Sequence, residues 1–152
     1  MRRFTPICMT FAALALLLVF PAHAAPAGTV KTSKGSVFVE RQANKIPASP
    51  GFSVEAGDRV VTGSDGAVGI MLKDSTSLSA GPNSTLDLDK YSFDPKTHGG
   101  ELNASVTRGS LAVISGKLAK ANPDRVKFST RSMTLGVRGT RFVIEAGAGG
   151  AP

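Results

Sequence analysis

The side chains able to do chemistry are few and badly placed for it. His98 is one of two histidines in the chain and lies within Asp94-Pro95-Lys96-Thr97-His98-Gly99-Gly100. A Ser-His-Asp arrangement would need it as the general base, yet a histidine beside two glycines in a turn-rich loop reads as an exposed side chain. Structural zinc needs three or four Cys, His or carboxylate ligands, and the chain has a single cysteine, Cys8. Asp87 and Asp89 project from one side of a strand about 7 Å apart. Carboxylates at about that spacing hydrolyse glycosidic bonds. Here they alternate with Leu86 and Leu88, which assigns them to a solvent face with no aromatic sugar platform nearby. Gly136-x-x-Gly139 is too short for a nucleotide fingerprint, and no Gly-Lys-Ser/Thr sequence completes a phosphate-binding loop. The expectation is a protein that is not an enzyme, with no catalytic residue, no cofactor and no metal.

The chain positions these residues after an amino-terminal segment of different character. Met1-Arg2-Arg3 is basic, Ile7 to Phe20 is apolar but for Thr10, and Pro21-Ala22-His23-Ala24 supplies small residues at 22 and 24. That is the layout of a secretory signal peptide, with cleavage expected after Ala24. The apolar run falls short of the roughly 20 residues a transmembrane helix needs, so no stable membrane span is expected after cleavage, and the location is periplasmic or secreted. Removing 24 of the 152 residues leaves 128 and takes away Arg2, Arg3 and Cys8, lowering the net charge from +7 to +5. A chain of that size buries roughly two-thirds of its surface without a disulfide.

From Ala25 onward the pattern is that of short strands. Val68, Ile70 and Leu72 alternate with Gly69, Met71 and Lys73; Leu102, Ala104 and Val106 with Asn103, Ser105 and Thr107; Val126 and Phe128 with Lys127 and Ser129; Phe142 and Ile144 with Arg141, Val143 and Glu145. Period-two alternation buries one face and wets the other, which suits antiparallel sheets. Turn signals fall between them at Ser33-Lys34-Gly35, Gly63-Ser64-Asp65-Gly66, Gly81-Pro82-Asn83, Asn122-Pro123-Asp124, Arg108-Gly109 and Arg138-Gly139. The fold class expected is all-β: an antiparallel jelly-roll-like β-sandwich or β-roll of about ten short strands over residues 25–146. Residues 147–152 are expected to form a flexible tail. Only Lys117 to Ala121 has room for a helical turn. Arg138-Gly139 is expected to close a two-residue hairpin between Thr134–Val137 and Thr140–Ile144.

Charge adds one more feature. Lys117, Lys120, Arg125, Lys127 and Arg131 gather in fifteen residues, with Arg138 and Arg141 following. Basic patches draw anionic partners. An exported protein without Trp and with one Tyr is poorly equipped to stack on bases, so nucleic acid is not expected. An anionic cell-envelope polymer or an envelope protein is.

The order of motifs resembles one family. Gly28-Thr29-Val30, Gly35-Ser36-Val37-Phe38-Val39 and Gly57-Asp58-Arg59-Val60-Val61-Thr62-Gly63 resemble the opening of the FecR domain. Ala67 to Ser84 resembles its middle, with Gly81 at its end. Arg108-Gly109-Ser110-Leu111 and Thr134-Leu135-Gly136-Val137-Arg138-Gly139-Thr140-Arg141-Phe142 are similar to its later strands and closing signature. The resemblance runs from about Gly28 to Glu145. It implies a bacterial envelope protein with an all-β periplasmic domain and a sensing or binding role. In the founding type that role is to relay the state of an outer-membrane transporter to a sigma factor. Those proteins carry a cytoplasmic anti-sigma segment before their membrane helix; here only about six residues precede the apolar run, so direct sigma-factor control is not expected. Gly57, Asp58, Thr62, Gly81, Gly109, Gly136, Arg138, Gly139 and Thr140 are the signature residues, expected to serve mainly structure. Arg131, Arg138 and Arg141 are the candidate partner contacts. The alternative to sensing is a structural envelope protein that binds peptidoglycan or anionic polysaccharide through its basic face.

Overall fold

The computed structural model describes residues 25–137, 139 and 141–147. Strand accounts for 60% and helix for 7%, which settles the all-β class. In chain order the strands are β1 (Pro26–Lys34), β2 (Val37–Arg41), β3 (Asn44–Pro47), β4 (Ser53–Glu55), β5 (Arg59–Thr62), β6 (Ala67–Leu72), β7 (Ser77–Ala80), β8 (Thr85–Phe93) and β9 (Gly100–Ile114). A short helix α1 (Lys117–Ala121) and a 3-10 turn at Pro123–Arg125 follow. Then come β10 (Val126–Ser129), β11 (Thr134–Gly136) and β12 (Arg141–Ala146).

The strands form one curled sheet that folds back on itself into two layers. The first layer runs β3-β2-β5-β8-β9 and adds β10 and β11; the second runs β9-β7-β6-β1-β4 and adds β12. Strand β9 belongs to both. Its residues 100–108 pair with β8 and, within that stretch, with β10, and residues 109–114 pair with β7 and β12. Every pairing is antiparallel except β10 with β9. A parallel neighbour needs a long crossover, and the segment holding α1 and the 3-10 turn supplies it.

Alternation fixes the layers as the sequence predicts. Leu72, Leu78, Leu86, Leu88, Leu102, Leu111 and Phe128 point into one shared core, which a one-residue slip in register would turn out into water. Phe128 of β10 meets Phe142 of β12 edge to face at 5.4 Å between centroids, closing the two layers on each other with the geometry aromatic pairs prefer.

Two expected turns are corrected. Arg108-Gly109 does not separate strands; β9 is continuous over fifteen residues and bends at Gly109. Nor, among the described residues, does a hairpin ladder join the strands on either side of Arg138-Gly139, because β11 pairs with β10 and β12 pairs with β9. Those are different layers, and the strands lack the common ladder that makes a hairpin. Residues 1–24, where a signal segment is expected, Arg138, Thr140 and the expected tail beyond Gly147 lie outside the described residues.

Candidate interaction surface

Most of the signature residues build the frame. Thr62 is buried and donates its hydroxyl to the Gly81 carbonyl at 2.6 Å, while the Ser84 amide donates back to that hydroxyl at 2.9 Å. The Ser84 hydroxyl in turn accepts the Ser110 amide at 3.0 Å. These bonds tie the ends of β5, β7 and β8 to the bend of β9, where the chain passes between layers. Gly109 sits at that bend with φ +84°, and a Cβ there would meet the Ser84 side chain, Ser84 Cα at 2.5 Å and the Asn83 carbonyl at 2.7 Å. Gly81 leaves room for the Ser110 hydroxyl, which a Cβ would approach to 2.6 Å.

Gly57 and Asp58 make a second fastening. Gly57 donates its amide to the Leu88 carbonyl at 2.7 Å in the turn between β4 and β5. Asp58 is buried and takes a two-pronged bond from Arg41, at 2.8 and 2.7 Å, plus the Glu55 amide at 2.8 Å. Arg41 also reaches Glu55 at 2.9 Å and lies over the Phe52 ring. Such forked pairs are among the stronger protein hydrogen bonds, and the Asp58 contact foremost holds the guanidinium above its usual pKa.

Sequence reasoning missed a third cluster. Asp74 is fully buried in the turn after β6. Its carboxyl oxygens accept the Thr76 hydroxyl at 2.6 Å, the Tyr91 hydroxyl at 3.1 Å, and the amides of Thr76 and Leu118 at 3.3 and 3.4 Å. The only available signal was a lone acid between Lys73 and Ser75-Thr76, indistinguishable from an ordinary exposed turn. Burial first, then the charge of Asp74, raise the Tyr91 pKa above its ordinary value. A raised folded pKa favours the neutral phenol in the native state. Its stabilising share is therefore present in full below the unfolded value of about 10 and lost as pH climbs through the folded value. Tyr91 is the chain's one tyrosine, so phenolate absorbance reports it alone. The expected titration lies above that of free tyrosine and coincides with alkaline unfolding, and Tyr91→Phe should flatten the alkaline loss of stability. An ordinary midpoint in the folded protein would contradict this.

The remaining candidates are placed as follows. Asp87 pairs with Arg59 and accepts the Thr107 hydroxyl, and Asp89 accepts the Ser105 hydroxyl; both carboxylates are committed to neighbours. His98 is exposed and stacks on Phe93. No cluster of three or more metal-ligating side chains occurs among the described residues. Gly136 and Gly139 line a cleft of about 220 Å³ with Leu135, Val137 and Phe142. Arg131 is exposed between β10 and β11. The basic residues do not share one face. Lys127 alternates with core-facing Val126 and Phe128 in the first layer, whereas Arg141 alternates with inward Phe142 in the second. They point to opposite outsides.

The outward face of the second layer is the surface that stands out. Register places Arg141, Ile114, Ser77, Met71 and Thr29 in one cross-strand row, and Val143, Ala112, Ser79, Gly69 and Thr32 in the next. Among the described residues, three of the four large exposed apolar side chains, Met71, Ile114 and Val143, lie here, Val143 at 62% exposure. The two rows hold a single charged side chain, Arg141. A sheet face this poor in charge is unusual at a free surface and resembles the centre of a protein–protein contact.

Comparison with known families decides the membership. The family model described as FecR protein matches residues 58–151. The chain belongs to the FecR family. The match takes in β5 through β12 with the fastening around Gly109, and begins at Asp58 itself, after that residue's partners Arg41 and Glu55 and after the Gly28 to Val39 segment that also resembles the domain. No curated protein and no solved structure matches. Membership points to a sensing or signalling module of the envelope. No described helix is long and apolar enough to cross a membrane.

Proposed function

We propose that this FecR-family chain is an exported, non-enzymatic sensing module that works by holding a partner protein on the outward face of its second layer. The observation that carries the reading is the charge-poor pair of rows containing Met71, Ile114 and Val143. Apolar side chains at the centre of an interface supply the driving force, and scarce charge keeps desolvation cheap. The basic, apolar and Ala22-x-Ala24 layout supports export to the periplasm or beyond. The frame clusters serve this face by fixing the bend and turns that set its strands.

A second reading is favoured by a specific feature. Lys117, Lys120, Arg125 and Lys127 are all exposed along the crossover into β10, and such a surface suits peptidoglycan or another anionic envelope polymer. Capture from envelope extract separates the two. Ile114→Glu leaves the core untouched, because Ile114 is 43% exposed, and should abolish protein capture while leaving any cell-wall association unchanged. Cosedimentation with cell wall that disappears on Lys120→Glu/Lys127→Glu, with no protein captured by the parent, would replace the first reading with the second.

A further inference from the structure

We propose that β12 is a self-complementary edge through which two copies of this chain join into one continuous sheet. Among the described residues β12 pairs on one side only, with β9. It is therefore an edge strand, six residues long and carrying exposed Val143, without the proline or the inward charge that protects such edges.

The residues of this edge match themselves when reversed. A two-fold axis through Val143 sets Val143 against its own copy, Phe142 against Ile144, and Arg141 against Glu145. Cross-strand partners point to the same face. Arg141, Val143 and Glu145 are exposed, whereas Phe142 and Ile144 face the core, so this register keeps both faces consistent. It also makes two Arg–Glu pairs per dimer on the outer face. Registers shifted by two residues break both pairs, and those shifted by four bring Arg141 against Arg141 or Glu145 against Glu145. One register satisfies burial and charge together, and the two-fold arrangement closes without leaving a further edge of this kind open. The joined sheet would place the two Val143 side chains together and merge the outward faces of both copies.

Sedimentation equilibrium on the protein purified from the envelope fraction tests this. The parent should be a concentration-dependent dimer. Arg141→Glu and Glu145→Arg, each replacing two attractive pairs by two repulsive ones, should weaken association about tenfold or more. The double variant Arg141→Glu/Glu145→Arg restores opposite charges in the same register and should recover the parent's dimer. Both substituted positions are exposed, and circular dichroism checks that each variant keeps its fold. A parent that stays monomeric, or a double variant no better than the single ones, overturns the proposal. Partner capture does not enter this readout, so a dimer that captures nothing counts against the partner-binding reading alone.

Discussion

Gly109→Val should be among the most damaging single substitutions in the protein. The residue stands at φ +84°, where a β-branched side chain is strained, and its Cβ would be driven into the Ser84 backbone and the Asn83 carbonyl. Backbone strain of this kind costs on the order of 1–3 kcal/mol. Displacing Ser84 also loosens its bonds to the Ser110 amide and carbonyl, at 3.0 and 3.2 Å, which are worth about 1 kcal/mol each. A total of about 3–5 kcal/mol is a large part of a typical domain's 5–15 kcal/mol. Gly136→Ala is the matched control, because a Cβ at that signature glycine meets nothing within 4 Å. It should stay within about 0.5 kcal/mol of the parent. Denaturant midpoints for the two variants measure the contrast, and equal midpoints would mean that the bend of β9 is not the constraint described.

Asp74→Ala should be comparably severe for a different reason. The carboxyl gathers the Thr76 hydroxyl and amide, the Tyr91 hydroxyl and the Leu118 amide in a fully buried pocket. Alanine leaves donors without acceptors, and each buried orphan costs about 1–3 kcal/mol. A loss of about 3–5 kcal/mol is expected, together with weakened docking of α1, whose Leu118 amide points into the cluster. Asp74→Asn retains one acceptor but sets an amide donor against the Thr76 hydroxyl or the Leu118 N–H, so it should recover only part of the stability. A midpoint for Asp74→Ala within about 0.5 kcal/mol of the parent would show that the cluster is dispensable.

The sequence made the layers legible but left their connections hidden. Alternation around Ile70, Leu88, Leu102, Phe128 and Ile144 identified strands and their buried faces, because one side of each strand meets a common core. The helical turn at Lys117 to Ala121 was legible for the complementary reason: no period-two pattern runs through it. What periodicity cannot tell is whether a glycine ends a strand or bends it. Arg108-Gly109 looks like a turn locally, yet pairing with β7, β8, β10 and β12 on both sides carries the strand through. The same limit produced the hairpin expected at Arg138-Gly139: two strands close in sequence suggest a hairpin, while the ladders join β11 to β10 and β12 to β9. Asp58 and Thr62 stood out through the family pattern, and their partners Arg41 and Ser84 emerged only from tertiary geometry. The outward face combines residues from five strands, β1, β6, β7, β9 and β12, so no stretch of sequence displays it.

The central claim is that a partner protein docks on the face containing Ile114, and photo-crosslinking in intact cells tests it most directly. A crosslinking amino acid placed at Ile114, which is exposed and outside the core, should yield a discrete protein adduct. The same group at Lys127, exposed on the opposite layer, should yield none. Adducts at Lys127 with none at Ile114 would contradict the account and move the binding surface to the basic side.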